Sequence, residues 1–156
     1  MFRKAYYFVP LIIILLVGAI FYYNALSGGT LYSLPSVPCI NPQVKITRVY
    51  TVNIQIYINN VKYPIDANIG HDPGNCIRQI QTIDSSGKVI VTSYKNSMFT
   101  LGDFFNTWHK NFSNNRIFNY QVNNDKTLKV YQNGKLVNTF EKTPLLPNES
   151  LRIEYN

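Results

Sequence analysis

The sequence contains few of the side chains that carry out chemistry. It has two cysteines, two histidines and eight acidic residues among 156 positions. No Cys-x-x-Cys, His-Glu-x-x-His, Gly-x-Ser-x-Gly or phosphate-loop pattern occurs. The carboxylates are spaced singly, so spacing does not indicate an acid/base pair. We therefore expect a protein that is not an enzyme, with no catalytic residue, no cofactor and no metal ligand.

The two histidines fit structural roles. His71 lies in the segment His-Asp-Pro-Gly, which is typical of a surface turn. His109 follows Trp108 near the end of a predicted helix, where a cation interacts favourably with the helix dipole. Their spacing does not predict that they meet, so we do not expect them to form a metal site.

Positive charge is in excess but is not concentrated. The chain has 15 Lys and Arg against 8 Asp and Glu, a net charge of +7. In the part beyond the N-terminus the cations occur singly from Lys45 to Arg152, without the basic run or stripe of a nucleic-acid-binding protein. We therefore expect no nucleic-acid partner. The excess favours solubility, or a surface that faces an acidic outer layer.

A long apolar segment begins almost at the N-terminus. Arg3 and Lys4 precede residues 5–23, which contain no charged side chain and approach the about 20 residues that cross a bilayer. Cations before the segment, and none just after it, place residues 1–4 in the cytoplasm. The sequence therefore predicts a transmembrane anchor over 5–23 that contacts the lipid bilayer. The alternative is a secretory signal peptide cleaved near residues 25–27, and both alternatives export the rest of the chain.

The part that follows the anchor divides into a tether and one domain. Residues 24–42 begin with small residues and continue with three prolines, which favour an extended path. Residues 43–156 are enough for one hydrophobic core and too few for two. We predict a single-pass protein of the cell membrane in which the domain of residues 43–156 lies outside the membrane.

Two features agree with export. Cys39 and Cys76 both follow the anchor, and two cysteines in an oxidising compartment most simply form a disulfide, with two unpaired thiols as the alternative. Asn111 and Asn148 each begin an Asn-x-Ser sequence, which is the acceptor pattern for N-linked glycans. The sequence therefore predicts one disulfide and two potential glycosylation sites.

Alternating apolar residues predict three β-hairpins. The paired segments are 52–58 with 61–69, 77–83 with 88–94, and 128–131 with 136–140, and residues 151–155 form a last strand. Asn59-Asn60 joins the first pair, in which Pro64 places the second strand at an edge or a bulge. Asn133-Gly134 joins the third pair and is the strongest hairpin signal in the chain.

One helix interrupts the strands. Thr100 is placed to cap it, with Asp103 near its positive end. The residues that recur at helical spacing are Leu101, Phe104, Phe105 and Trp108. Burial statistics favour a core role for these aromatics over a cofactor site. The predicted fold class is α+β, a small β-rich domain with one main amphipathic helix, and a β-grasp-like sheet around the helix is the preferred version.

Several segments, taken in order, resemble one group of proteins. They are 56–60, 64–70, Cys76, 81–84, 87–90, 99–105, Trp108, 130–135 and 151–153. The group comprises uncharacterised secreted or membrane-anchored prokaryotic proteins with a His-Thr-His-Asp segment and a Phe-Thr-Leu-Gly-x-Phe-Phe helix, which is similar to Phe-Thr-Leu-Gly-Asp-Phe-Phe at 99–105. The resemblance extends over residues 39–156 and implies the same fold and the same location.

The chain departs from this group at its histidines. The family's histidines form a cluster that is similar to a transition-metal site. The corresponding positions here are Val49, Thr51, Asn53, Gln81, Ile83 and Ile90. Because every one of these imidazoles is replaced, the resemblance implies the fold and the location but argues against a metal function. Asp84, which is retained, is interpreted as an ordinary turn residue.

Three functions follow from these observations. The first is a non-catalytic, membrane-anchored extracytoplasmic domain that binds another membrane or cell-surface protein, as an accessory subunit of a membrane complex. The second is a divergent extracytoplasmic metal-binding protein, with candidate ligands Cys39, Cys76, His71, His109 and Asp84. A disulfide would remove both thiolates from that set. The third, a hydrolase or redox enzyme, is the least favoured because no nucleophile can be paired with a base.

Overall fold

The computed structural model describes residues 37–94 and 97–156. The predicted cytoplasmic N-terminus (1–4), the anchor (5–23) and residues 24–36 of the predicted tether lie outside these ranges. Within the ranges described, no helix combines the length and the apolar character needed to span a bilayer. The described residues form a β-rich domain with one α-helix, which confirms the α+β class.

The elements follow one another with short connections. In chain order they are β1 (Arg48–Ile58), β2 (Val61–Tyr63), β3 (His71–Asp72), β4 (Cys76–Ile77), β5 (Ile80–Thr82), β6 (Lys88–Ser93), α1 (Leu101–Thr107), β7 (Phe112–Ser113), β8 (Arg116–Ile117), β9 (Tyr120–Gln121), β10 (Leu128–Gln132), β11 (Lys135–Val137), a 3-10 turn (Phe140–Lys142) and β12 (Ser150–Tyr155). Besides the main sheet, β3 pairs with β4, and β7, β8 and β9 form a small three-stranded sheet.

The main sheet has seven strands and is built around β1. Its order is β11-β10-β12-β1-β6-β5, and β2 also pairs with β1. The first half of β1 is antiparallel to β6, and its last residues are antiparallel to β2. On its other side β1 runs parallel to β12, with Ile56 opposite Ile153. The first and the last strand of the domain therefore lie side by side within the sheet.

Two of the predicted hairpin turns form as expected. Asn59 and Asn60 have φ angles of 49° and 64°, and Asn133 and Gly134 have φ angles of 51° and 79°. Two consecutive residues with positive φ build a type I′ turn, whose twist matches that of the flanking strands. β1 and β2, and likewise β10 and β11, are antiparallel neighbours. The turn and the antiparallel pairing of the first and the third predicted hairpin are confirmed.

Three predicted strands are shorter than expected. β2 ends at Tyr63 instead of residue 69, because Pro64 has no N–H with which to continue the ladder. Of the segment 77–83, only β5 pairs with β6, whereas β4 pairs with β3. β11 ends before the predicted end at residue 140, because Phe140 has a φ of 42° and begins the 3-10 turn. The second predicted hairpin is confirmed only in its β5–β6 pairing.

The predicted helix forms as α1, with its predicted cap. The Thr100 hydroxyl accepts a hydrogen bond from the Asp103 N–H, and the Asp103 carboxylate accepts one from the Thr100 N–H. This reciprocal pair is a capping box. Beyond the other end of the helix, the His109 N–H donates to the Asn106 carbonyl. His109 has a φ of 56°, so it occupies the left-handed position that glycine most often takes after a helix.

The helix and one face of the main sheet share a hydrophobic core. The buried side chains include Val52, Ile54, Ile56 and Ile58 of β1, together with Leu101, Phe104, Phe105 and Trp108. All of them belong to a single buried cluster. The core role predicted for the helical aromatics is confirmed. Because side chains alternate along a strand, the odd-numbered residues of β1 lie on the opposite face.

The chain joins the domain earlier than predicted. Val37 is fully buried, and the Pro38 carbonyl accepts a hydrogen bond from the Gln79 N–H. We call residues 37–42 the N-terminal strap. The sequence assigned them to the tether because prolines favour an extended path, but an extended segment can also pack along a domain. The predicted boundary between residues 42 and 43 therefore does not separate tether from domain.

The predicted disulfide is present and holds the strap. Cys39 is bonded to Cys76 of β4, with a Cα–Cα distance of 5.4 Å. Arg78 donates a hydrogen bond of 2.6 Å from Nη1 to the Val37 carbonyl and forms an ion pair with Asp72. No cysteine of the domain is free, so the alternative of two unpaired thiols is wrong.

Candidate functional site

The face of the main sheet that is turned away from the core presents side chains to solvent. Cross-strand register places these side chains next to one another. We call this surface the open face. Its side chains are Val49, Thr51, Asn53, Gln55 and Tyr57 from β1, Lys62 from β2, Gln81 from β5, Lys88 and Ile90 from β6, Lys129 and Tyr131 from β10, Leu136 from β11, and Ser150, Arg152 and Glu154 from β12. All of them are at least partly exposed.

One row of side chains crosses four strands of the open face. The successive cross-strand partners are Leu136, Tyr131, Arg152 and Gln55. The surface is concave here, since a depression of about 490 Å³ is lined by Gln55, Tyr131, Gly134, Ser150, Arg152 and Glu154. Leu136 is 56 % exposed. The row therefore offers an aliphatic, an aromatic and a cationic group in line.

Arg152 is held by two neighbours. Its guanidinium carbon lies 4.5 Å from the centre of the Tyr57 ring, within the range of a cation–π interaction. Its Nη2 lies 2.5 Å from Glu154 Oε1. The Arg152 side chain nevertheless remains 52 % exposed. A guanidinium has five N–H donors, so this ion pair leaves donors that a ligand can reach.

The open face is positively charged. Its cations are Lys62, Lys88, Lys129 and Arg152, and its one carboxylate is that of Glu154. Of the two ion pairs formed among the described residues, one joins Arg152 to Glu154 and the other lies away from this face. The three lysines therefore have no ion-pair partner within the described part of the chain. Because they are exposed, they contribute to the field of this surface more than to stability.

Five of the six positions to which the predicted resemblance assigns the family's histidines belong to the open face, and the sixth, Ile83, directly follows β5. Thr51, Ile90 and Gln81 are direct cross-strand neighbours on β1, β6 and β5. The others, Val49, Asn53 and Ile83, lie on the same face of β1 or directly after β5. The side chains present here are mostly aliphatic or neutral, and Val49 and Ile83 are 63 % and 64 % exposed. This end of the face is therefore suited to apolar contact, and the resemblance itself stays a prediction.

The two histidines line one cleft, which their spacing does not predict. His71 belongs to β3 and His109 follows the helix, and residues 66–73 face the end of the helix across a cleft of about 300 Å³. Trp108 Nε1 donates a hydrogen bond of 2.7 Å to Asp66 Oδ2 in this cleft. Across residues 37–94 and 97–156, no three His, Cys, Asp or Glu side chains are grouped so as to hold a metal ion.

We expect the protein to bind transition metals only weakly. A structural zinc site uses four ligands and a catalytic site uses three plus water, whereas the cleft offers two imidazoles. Calorimetric titration of the full-length protein in detergent with Zn²⁺ and Cu²⁺ should show no one-to-one site tighter than about 1 μM. A tighter site that is lost in both His71→Ala and His109→Ala would contradict this expectation and favour the metal-binding alternative.

The remaining candidate residues have the following surroundings. Asp84 accepts a hydrogen bond of 2.9 Å from the Ser86 N–H, and hydrogen bonds from the hydroxyl and the N–H of Ser86 lower the pKa of Asp84. This agrees with its interpretation as a turn residue. The disulfide removes both cysteines from the set of metal ligands. Asn111 and Asn148 are exposed, and their glycosylation stays a prediction.

No protein-family model, curated protein or solved structure matches the chain. The two candidate sites among the described residues are the open face and the histidine cleft. The open face combines positive charge, aromatic rings and exposed aliphatic side chains, whereas the cleft offers two imidazoles. The open face is the stronger candidate for a functional surface.

Proposed function

We propose that the protein is a non-catalytic, membrane-anchored domain outside the cell membrane that binds another membrane or cell-surface protein through the open face, as an accessory subunit of a membrane complex. One observation carries the proposal. The core covers one face of the main sheet, whereas the other face presents Leu136, Tyr131 and Arg152 in one row. Tyrosine and arginine are among the residue types that most often carry the binding energy of protein interfaces.

The extent of the open face suits a protein partner. Its fifteen side chains come from all seven strands of the main sheet, and they would supply the larger part of a small protein interface, since a standard interface uses about 20–30 residues on each side. The depression at Arg152 is part of this broad surface. A small-molecule site, by contrast, is usually a cleft or cavity that encloses most of its ligand.

The proposed location is supported by two features. The Cys39–Cys76 disulfide agrees with an extracellular or otherwise oxidising environment. The apolar segment 5–23, preceded by Arg3 and Lys4, supports a single-pass anchor with its N-terminus in the cytoplasm. An anchor of this kind keeps the domain at the membrane and so raises its effective concentration beside a membrane partner.

The fold is proposed to be β-grasp-like, with a sheet formed by two hairpins and a last strand around one helix. The hairpins β1–β2 and β10–β11 flank α1 in the chain, and β1 and β12 are parallel neighbours. The order β2-β1-β12-β10-β11 supports this interpretation. The hairpin β5–β6 lies between β2 and α1 in sequence and extends the sheet along β1.

A divergent metal-binding protein is the alternative function. The observation in its favour is that His71 and His109 line one cleft. Two imidazoles would need further ligands from water, a carboxylate or a partner to complete a site. The metal titration described above distinguishes this alternative from the proposed binding function.

The proposed function is tested by recovering the tagged full-length protein from detergent-solubilised membranes. We expect a stoichiometric companion protein with the wild type and its loss with Leu136→Asp, which places a charge in the row of the open face. Val61→Asp is the matched control. Val61 is exposed on a strand of the same sheet, but it is the cross-strand partner of the buried Ile58 and therefore does not lie on the open face. Equal recovery of the companion by both variants would contradict the proposal.

A further inference from the structure

We infer that the partner of the open face is an acidic protein surface that places a carboxylate side chain against Arg152. This inference rests on the proposed function, since it names the chemistry of the partner that the function requires. It is carried by the juxtaposition of Arg152, Tyr57 and Glu154 with lysines that have no ion-pair partner among the described residues.

The Arg152 guanidinium is preorganised to bind a carboxylate. The Tyr57 ring supports the guanidinium at 4.5 Å, and Glu154 contacts Nη2 at 2.5 Å. The planar fork of an arginine matches the two oxygens of a carboxylate. Because the guanidinium is already held in place, less side-chain freedom is lost when a ligand binds. The exposed half of the side chain is where the incoming carboxylate makes its contact.

Lysines stand on both sides of the Arg152 site. Lys129 is the cross-strand partner of Glu154, and Lys62 is the partner of Tyr57. Neither lysine forms an ion pair with any residue of the ranges 37–94 and 97–156. Exposed cations of this kind at the rim of an interface attract an acidic partner and speed its association. The charge of the open face therefore complements an acidic surface.

The groups next to Arg152 favour a protein over other anionic surfaces. Tyr131 is the neighbour of Arg152 in the row, and Leu136 is the neighbour of Tyr131. A protein surface can cover an exposed leucine and a tyrosine ring with apolar groups while its carboxylate pairs with the arginine. A sulfated polysaccharide presents anions without apolar groups, and in a lipid layer the apolar chains lie beneath the headgroups rather than beside them.

Glu154 competes with the carboxylate of the partner for the Arg152 guanidinium. Its carboxylate pairs with the same guanidinium that would receive the carboxylate of the partner. Replacing Glu154 by glutamine removes this competition and one negative charge from the site. Glu154→Gln should therefore strengthen binding of an acidic ligand, whereas a purely structural role for the Arg152–Glu154 pair would not produce a gain.

Poly-L-glutamate is the probe for this chemistry, with poly-L-glutamine as the neutral control. Full-length protein in a neutral detergent should bind poly-L-glutamate but not poly-L-glutamine. Its affinity for poly-L-glutamate should fall as salt is added. Arg152→Gln should weaken the affinity about tenfold, as expected for a binding hot spot. Arg116→Gln removes an equal charge from β8, outside the main sheet, and should change the affinity by less than about twofold.

Three results would overturn the inference. Equal weakening by Arg152→Gln and Arg116→Gln would show that net charge alone attracts the probe. Unchanged or weaker binding by Glu154→Gln would show that the partner does not compete for the guanidinium. Binding of dextran sulfate or of phosphatidylglycerol vesicles that depends on Arg152 and is tighter than binding of poly-L-glutamate would show that the partner is a polysaccharide or a lipid surface rather than a protein.

Recovery of the companion from membranes separates this inference from the proposed function. If Leu136→Asp loses the companion and Arg152→Gln retains it, the inference fails and the proposed function stands. If no companion is recovered, although poly-L-glutamate binds in an Arg152-dependent way, the proposed function fails and the carboxylate site stands.

Discussion

Trp108→Ala is expected to lower the free energy of unfolding by about 3–5 kcal/mol, the usual cost of truncating a core aromatic side chain. Trp108 is only 6 % exposed. Its ring contacts the rings of Tyr63, Phe104, Phe105 and Phe118. Its Nε1 also donates a hydrogen bond to Asp66. The substitution therefore leaves a cavity among four aromatic rings and removes a contact between the helix end and the segment after β2.

The measurement is a urea titration of the full-length protein in detergent. Trp108 is the single tryptophan, so unfolding of all variants should be followed by circular dichroism rather than by tryptophan fluorescence. Trp108→Phe is the matched control: it keeps an aromatic ring in the core and removes the N–H, so we expect a smaller loss than for alanine. A loss below about 1 kcal/mol in Trp108→Ala would show that this side chain is not part of the core.

Removal of the Cys39–Cys76 disulfide is expected to cost about 2–5 kcal/mol of stability. The two cysteines are separated by 37 positions, for which the loop-entropy model gives about 4 kcal/mol. The bond also holds the N-terminal strap, in which Val37 is fully buried. When it is removed, the Arg78 hydrogen bond and the strap's remaining contacts must hold Val37 in place without a covalent constraint.

Cys39→Ser/Cys76→Ser is compared with the wild type by denaturant midpoint and slope. Reductant should lower the midpoint of the wild type towards that of the double variant, and should leave the double variant unchanged. Intact mass after treatment with a thiol-alkylating reagent should show no label before reduction and two labels after it, since both cysteines are in the bond. Two labels without reduction would contradict the pairing.

Much of the local structure was predictable because its signals lie within a few residues of one another. The Asn133-Gly134 turn requires two consecutive positive φ angles, which asparagine and glycine tolerate. The helix start depends on Thr100 and Asp103, whose hydrogen bonds close within one turn. The disulfide followed from the number of cysteines and the export signal. In the turn and the helix cap, the interacting residues are near one another in sequence. In the disulfide, each cysteine has only one other cysteine with which to pair.

The ends of several elements were less predictable because a loop, like a strand, can bury alternate apolar side chains. The alternating pattern continues through Ile65 and Ile69, and both are buried, yet neither lies in a strand. Their burial comes from a loop that packs beside β5, where the Thr82 N–H donates to the Ile69 carbonyl. Periodicity reports which side chains are buried, and it cannot distinguish a strand from a loop that buries the same residues.

For the candidate site, too, some features follow from the sequence and others only from the tertiary structure. The sequence by itself determined that the domain of residues 37–156 is rich in strands, contains a capped helix and a disulfide, and has scattered cations, because these follow from composition and from contacts between near neighbours. Only the tertiary structure decided that Arg152 lies over Tyr57, that Leu136, Tyr131 and Arg152 form a row, and that His71 and His109 line one cleft. These arrangements depend on which strands pair and in what register. Alternation marks the two faces of each strand but does not specify which distant strand lies beside it.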